Sequence, residues 1–381
     1  MPSRWVKSAF PIGVYYLSGN EAAAEGAIAA GCRFYAGYPI TPSSEIMERM
    51  PLRLREVGGV FIQMEDEIAS ISAVIGASWA GAKAMTATSG PGFSLMQESI
   101  GYAAFTETPC VIIDVQRAGP CTGQATRVGS GDIMQAKWGS HGDYQVIALS
   151  PWSVQEMYDL TLRAFNLSER YRVPAMVLSE ETVGHLRENI SIPARIEVWD
   201  RKKGKGKAPF GTEEEDGVPP MPAFGEGERL AITGSTHDAY GFRKTDEPEV
   251  HAELVERINR KIIKNRQKIV ETESHLIDDS EIVIITYGFT ARTSLYVVKR
   301  MRKEGFKLGL LRLKTLWPFP EEAVREATAK AKKVFIPEMN QGQVAGEVKK
   351  YCSCDVISFG QTSGEIIRPE TILSLLKGLV R

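Results

Sequence analysis

Three acids in a row, Glu65-Asp66-Glu67, stand between an apolar stretch (Val60-Phe61-Ile62) and a helix-forming segment of small residues. Acids in a first helical turn are favoured by the helix dipole, and for Glu65 and Asp66 capping alone is a sufficient reading. Glu67 reads differently. It begins what the spacing predicts as a small-residue face (Ala69, Ser72, Ala73, Gly76, Ala77, Ala80), on which another backbone or a flat ligand can approach closely. A carboxyl there is partly desolvated, which raises its pKa and fits it for proton exchange with a ring nitrogen. Arg117 follows the apolar run 110–115. A guanidinium binds a carboxylate through two parallel hydrogen bonds, so Arg117 reads as a carboxylate clamp or, alternatively, as half of a buried ion pair. Hydroxyls at Thr41 and Thr122 and the turn Ser89-Gly90-Pro91-Gly92 complete the group. His141-Gly142-Asp143 offers acid–base chemistry, or else a structural or gating role beside a pocket.

These residues need a scaffold, and the pattern supplies one. Asn20 is placed to cap a helix over 21–30, with Gly31 where a left-handed terminus is wanted. A short strand over 33–37 leads into Tyr38-Pro39-Ile40-Thr41-Pro42, where Thr41 before a proline predicts an N-cap. Then come the strand before Glu67, a helix, a strand ending at Gly90-Pro91-Gly92, and a helix over about 93–105. The run 110–115 is continuous enough for a parallel strand buried on both faces. A helix is predicted over 133–138, a strand over 144–149, a helix opened by the Ser153–Glu156 capping box, and a strand over 173–179. Strands alternating with helices predict an α/β fold with a parallel sheet, whose ligands sit beyond the carboxyl ends of the strands. Thr41, Glu67, Ser89–Gly92 and Arg117 all come directly after predicted strands and should gather on one edge.

Pattern fails over about 189–229, where Arg201-Lys-Lys-Gly-Lys-Gly-Lys207 meets Glu213-Glu-Glu-Asp216 and several prolines. This predicts a solvated linker more than a phosphate site. Leu254, Ile258, Ile262 and Ile269 mark one face of a helix over 248–270. Strands over 282–286, 308–312, 334–337 and 356–359, with helices between and after them, make a second α/β unit. The expected organisation is 11–190, 191–275 and 276–381.

A length of 381 residues suggests roughly two or three domains. A formal net charge of -1 gives no general attraction to nucleic acid or anionic membrane. No apolar run approaches the ~18 residues of a spanning helix, and no signal peptide is seen. Five scattered cysteines fit reduced thiols in the cytoplasm, and five histidines make a metal cluster unexpected. Phosphate-loop and nucleophile-elbow motifs are missing, and a dinucleotide reading of 204–211 is weak because no strand precedes it.

The motifs together carry a resemblance. Gly19-Asn-Glu-Ala22, Tyr38-Pro-Ile-Thr-Pro42, Gln63-Met-Glu-Asp-Glu-Ile-Ala-Ser70, Ala87-Thr-Ser-Gly-Pro-Gly-Phe93, Gln116-Arg-Ala-Gly-Pro-Cys-Thr-Gly123 and Ser140-His-Gly-Asp143 resemble the alpha subunit of 2-oxoacid:ferredoxin oxidoreductases, nearest the 2-oxoglutarate type. The resemblance is strong over 11–190 and weaker over 275–381. It implies a thiamine-diphosphate-binding pyrimidine domain at 11–190 and a transketolase C-terminal-like domain at 276–381. It implies that the acid aligned with Glu67 hydrogen-bonds the aminopyrimidine and favours its imino tautomer. Thr41 and Arg117 match residues that hold the 2-oxoacid, Thr122 matches a pocket wall, and the Pro39–Ile40 and Ser89–Gly92 turns (Ser89, Gly90 and Gly92) flank the pyrimidine.

The implied activity is oxidative decarboxylation of 2-oxoglutarate with CoA, electrons passing to ferredoxin. The missing diphosphate and cluster motifs imply a beta subunit that brings Mg²⁺, the diphosphate site and iron–sulfur (4Fe–4S) clusters. The missing leading domain of two-subunit members implies separate gamma and delta subunits. Cys121 stands where serine is usual, and 200–226 is longer than typical. The alternatives are the same chemistry on pyruvate, branched-chain or arylpyruvate acids, a non-catalytic docking subunit, or a carbon–carbon bond-forming transferase. A five-carbon diacid needs a second cation, from Arg127, Lys137, His141 or a partner subunit.

Overall fold

The computed structural model describes residues 3–204 and 206–379, so Lys205 of the basic run and residues 380–381 of the C-terminal unit lie outside the described residues. The larger sheet has eight strands. From one edge they run Thr315–Trp317, Ile147–Leu149, Pro174–Glu180, Cys110–Ala118, Ala84–Thr88, Phe34–Gly37 and Val60–Gln63, with Gln124–Val128 folded back on Cys110–Ala118. All pairings from Ile147–Leu149 to Val60–Gln63 are parallel, so these strands share a carboxyl edge. Every residue of Cys110–Ala118 is buried. Val111 and Ile113 enter the core on one face and Ile112 the core on the other, as a strand covered on both faces requires. This strand is longer than the apolar run and carries Gln116 and Arg117 inside the sheet.

Close helix packing tightens one face. Ala22, Ala23, Ala24 and Ala27 of the helix Gly19–Ala29 have no exposed surface, and a Cβ on Gly26 would lie 3.1 Å from the Tyr158 Cα of the helix Val154–Tyr171. The opposite face is covered by Glu67–Trp79 and Gln97–Phe105 through Ile71, Val74, Trp79 and Ile100.

The smaller sheet has five strands, in the order Thr272–His275, Leu308–Leu313, Ile282–Thr286, Lys333–Glu338 and Asp355–Gly360. It is parallel except for the first pairing. Its unit is fastened to the larger sheet. Thr315–Trp317 pairs antiparallel with Ile147–Leu149, and Trp317 Nε1 donates to the Ile133 carbonyl at 2.8 Å.

Four local expectations are corrected. Ser18, not Asn20, caps the first helix: Glu21 N donates to Ser18 Oγ at 3.2 Å and Ser18 N to Glu21 Oε2 at 2.7 Å. Asn20 is drawn into the core instead and donates to the Pro42 carbonyl at 2.8 Å. Thr41 is not an N-cap either. The chain turns once more, with Ser43 N donating to Ile40 O at 2.9 Å, and the helix begins at Ser44.

The small-residue stripe is the third correction. Ser72, Gly76 and Ala80 are exposed, and Glu67 lies on the opposite, buried side with Ser70, Ile71 and Val74. Apolar residues at helical spacing outcompete a strip of alanines for the core. Lastly, the segment after Val198 is anchored rather than solvated. Phe210, Val218 and Met221 are buried, Arg201 pairs with Glu169 at 2.5 Å, and Arg172 donates to the Pro220 carbonyl at 2.8 Å. Irregular backbone can be buried only where its carbonyls find donors, and these arginines provide them.

Candidate active site

Asp66 caps the helix that starts at Glu67, its Oδ1 accepting from Ala69 N at 2.7 Å. This fixes Glu67 in the first turn with 5% of its surface exposed. Burial raises the Glu67 pKa, the Asp66 charge adds to the rise, and Arg117 opposes it. The turn after Ala84–Thr88 passes directly beside this carboxyl. A Cβ on Gly92 would lie 2.6 Å from Glu67 Cδ, and the Thr88 hydroxyl fills the rest of the space. Ser89 beside it is fully buried with its hydroxyl unpartnered.

Arg117 reaches across the carboxyl edge. Its Nη1 donates to the Thr41 carbonyl at 2.9 Å, which ties the strand Cys110–Ala118 to the turn after Phe34–Gly37. Its Nε is buried without a partner. Among the described residues no carboxylate forms an ion pair with it, so the alternative of a structural ion pair has no partner here. A buried guanidinium with donors to spare is built to take an anion.

The edge therefore brings Glu67, Gly92, Arg117 and Thr41 together, as expected, although Arg117 stands at the carboxyl end of its strand rather than after it. The other expected residues are placed less uniformly. Ile40 is half-buried and accepts from Ser43 N and Oγ, while Pro39 is exposed. Thr122 is exposed on the turn that closes the hairpin Cys110–Ala118/Gln124–Val128, outside the cluster.

A cavity of about 660 Å³ opens in front of Arg117. Gly90 and Asp132 line one side, and Met339, Asn340 and Gln343 line the other. Asn340 Nδ2 donates to Ser130 O at 2.7 Å and to Tyr287 Oη at 2.8 Å. Tyr287 in turn donates to Glu338, so the smaller unit's wall is held rigidly. None of the proposed second cations lines this cavity. Arg127 pairs with Glu365 at 3.1 Å, Lys137 donates to the Tyr144 carbonyl, and His141 lines a separate cavity with His251.

Two acids at and behind the cavity wall escaped the sequence reading, Asp132, which lines it, and Asp114. The signal for Asp114 was present: an acid in the middle of a strand buried on both faces demands a local reason. The wall at 339–343 had no signal, because it comes from packing of the two units.

A family model described as "Pyruvate flavodoxin/ferredoxin oxidoreductase, thiamine diP-bdg" matches residues 25–257, and one for "Pyruvate:ferredoxin oxidoreductase core domain II" matches 280–372. The chain is 52% identical to 2-oxoglutarate synthase subunit KorA of Methanothermobacter thermautotrophicus, covering 95% of this chain and 98% of that one. It is 36% identical to ketoisovalerate oxidoreductase subunit VorB of the same organism, covering 95% and 96%. A solved 2-oxoglutarate:ferredoxin oxidoreductase from Magnetococcus marinus, with 2-oxoglutarate, coenzyme A and succinyl-CoA bound, superimposes with a TM-score of 0.92 at 34% identity. That match covers 97% of this chain and 66% of the other. A split-gene transketolase shares the fold alone, with a TM-score of 0.55 at 12% identity.

Proposed function

The chain belongs to the pyruvate/2-oxoacid:ferredoxin oxidoreductase family, and we propose that it is the alpha subunit of a 2-oxoglutarate:ferredoxin oxidoreductase. In this reading it takes part in oxidative decarboxylation of 2-oxoglutarate with CoA to succinyl-CoA and CO₂, with ferredoxin as electron acceptor. The observation that carries the reading is the Glu67 carboxyl: buried, raised in pKa, without a side-chain hydrogen-bond donor among the described residues, and held against Gly92. Such an acid fits one edge of an aminopyrimidine, so the residues present fit thiamine diphosphate. When bound, that cofactor supplies the nucleophilic carbon and the electron sink for loss of CO₂.

This chain's residues do the rest by position. Glu67 holds a proton at the pyrimidine edge, and its burial favours the protonated form that such an exchange needs. The Ser89–Gly92 and Pro39–Ile40 turns flank the ring. Arg117 and Thr41 hold the carboxylate and oxo group of the substrate. Thr122 becomes a wall where a partner closes over its turn.

The site is open on the side where a partner belongs. Tyr38, Ile62, Ile68 and Leu95, in the segments flanking Glu67, are each more than a third exposed. A beta subunit over this face supplies the diphosphate site, Mg²⁺ and iron–sulfur clusters, and separate gamma and delta chains complete a cytoplasmic complex. Among the described residues no helix is long and apolar enough to cross a membrane. The higher identity to the 2-oxoglutarate relative than to the ketoisovalerate relative, 52% against 36%, favours the diacid.

The test is 2-oxoacid-dependent reduction of a viologen dye, with CoA, by the complex co-expressed from this gene and its genomic neighbours. Highest activity on 2-oxoglutarate supports the reading. Highest activity on pyruvate, a branched-chain or an aryl acid keeps the mechanism and overturns the substrate. No dye reduction with any acid, in a complex that binds thiamine diphosphate, leaves a transferase or a docking subunit.

A further inference from the structure

Asp114, fully buried, and Asp132, half-buried with its Oδ2 enclosed, have no task in binding the cofactor or in the proton exchange at Glu67. Asp114 sits in the strand Cys110–Ala118, paired with Thr88 on one side and Leu178 on the other, with no exposed surface. Asp132 precedes the helix Ile133–Trp138, its amide donating to Gln116 Oε1 at 3.0 Å. Gln116 is itself fixed, donating to the Ser179 carbonyl at 3.0 Å. The two carboxyls are close enough to act on one another beside the Gly90 turn, where Asp132 Oδ2 lies 3.9 Å from the place a Gly90 Cβ would take. Both oxygens of Asp114 and Oδ2 of Asp132 are buried without a donor. Two neighbouring carboxylates repel when both are ionised, which favours one proton shared between them.

Asp132 also lines the cavity in front of Arg117, and Arg117 is the cation that acts on it. We propose that Asp132, backed by Asp114, is a further substrate-binding determinant: the pair takes up a second proton when a substrate carboxylate docks on Arg117. This rests on the reading of Arg117 as a carboxylate clamp. The charge balance gives the reason. Arg117 with a singly protonated pair is neutral as a group. A docked carboxylate would leave one uncompensated negative charge in a buried cavity, and a proton from the buffer removes it.

The other groups around the pair are accounted for. The neighbouring strands bring Thr88 and Leu178, the Ser89–Gly92 turn brings the Gly90 amide, and the opposite wall brings Asn340 and Gln343. Glu67 acts on Arg117 from its own helix, and Glu180 faces the Phe289 amide at 3.1 Å. Burial pushes Asp132 up to about 6, against the Asp114 hydrogen bond and the Arg117 charge, and holds Asp114 well above the carboxylate range. The pair is thus poised to gain a proton near neutrality. A group whose pKa rises on binding favours the complex at low pH. Affinity should therefore be flat in acid and fall by roughly tenfold per pH unit above the pair's lower titration step.

The experiment is titration calorimetry of the co-expressed complex with glutarate, which has both carboxylates but no oxo group to react. It is run in two buffers of different ionisation enthalpy. The expected result is uptake of about one proton near pH 7 and much less near pH 5 in the wild type, where the pair is already doubly protonated. Asp132→Asn should bind glutarate with uptake near zero. Asp114→Asn is the second variant, so that poor folding of one does not end the test. Equal heats in both buffers for the wild type, or full uptake persisting in either variant, overturns the proposal. Arg117→Ala separates the two readings. If it binds glutarate as tightly as the wild type, the carboxylate clamp itself falls. If binding needs Arg117 but no proton enters, the proton-sharing pair alone is wrong.

Discussion

The Glu67 carboxyl occupies the space that a side chain at Gly92 would need, with Glu67 Cδ only 2.6 Å from where that Cβ would stand. The turn after Ala84–Thr88 and the helix Glu67–Trp79 therefore fix one another at the reacting edge of the site.

Gly92→Ala tests this contact. A methyl there must push the carboxyl aside, and a displacement near 1 Å at a reacting group costs on the order of 10²-fold in rate. The expected outcome is that loss in kcat for dye reduction, with the complex still assembled by gel filtration. A variant with wild-type kcat would show that the carboxyl has another place to sit.

Arg117→Lys keeps the charge and removes the fork. An ammonium cannot make two parallel bonds to a carboxylate, nor span to Thr41 in the same geometry. KM for 2-oxoglutarate should rise by roughly tenfold or more, the effect of losing about 1.4 kcal/mol, while thiamine diphosphate affinity, measured by fluorescence quenching, stays near wild type. An unchanged KM would remove Arg117 from the substrate site.

How far the site could be read from the chain depends on what holds each residue. Glu67 and Arg117 were legible because each follows an apolar run, which places Glu67 just beyond one strand and Arg117 at the carboxyl end of another, on the edge that parallel strands share. The orientation of Glu67 was not. Alanines and glycines at helical spacing look like a docking face, but Ile71, Val74 and Trp79 claim the core and turn those small residues outward. Thr41 carries a capping signal, but the chain makes one more turn and the helix begins only at Ser44. Asp114 was visible as an anomaly, whereas its partner Asp132 comes from a loop that only the fold brings close. The second sheet was legible strand by strand. Its contribution of Asn340 and Gln343 to the cavity wall was not, because no local pattern encodes how two units dock.

The long helix Pro248–Lys264 makes a stability prediction. Glu107, fully buried, bonds Arg257 Nη2 and Lys261 Nζ at 2.6 Å each. Burial alone would raise its pKa, but Arg257, Lys261 and Arg172 hold it below the ordinary value of 4.5. A depressed carboxylate contributes stability that is present above its unfolded pKa and lost as pH falls through the folded one. The contribution should therefore be complete at neutrality and decline once pH drops below about 4.5. Glu107→Gln strands two buried cations and should cost about 3–5 kcal/mol, seen as a lower Tm at pH 7 and a smaller difference from wild type in acid. Equal melting temperatures at neutral pH would contradict this.

The most direct test of the central claim is Glu67→Gln in the co-expressed complex. The amide keeps the size and can still contact a ring nitrogen, but it cannot exchange the proton on which the chemistry depends. The expected result is that 2-oxoglutarate-dependent dye reduction falls by at least about 10²-fold while the complex assembles and binds thiamine diphosphate. Turnover equal to wild type in that variant would contradict the claim that this carboxyl activates the cofactor.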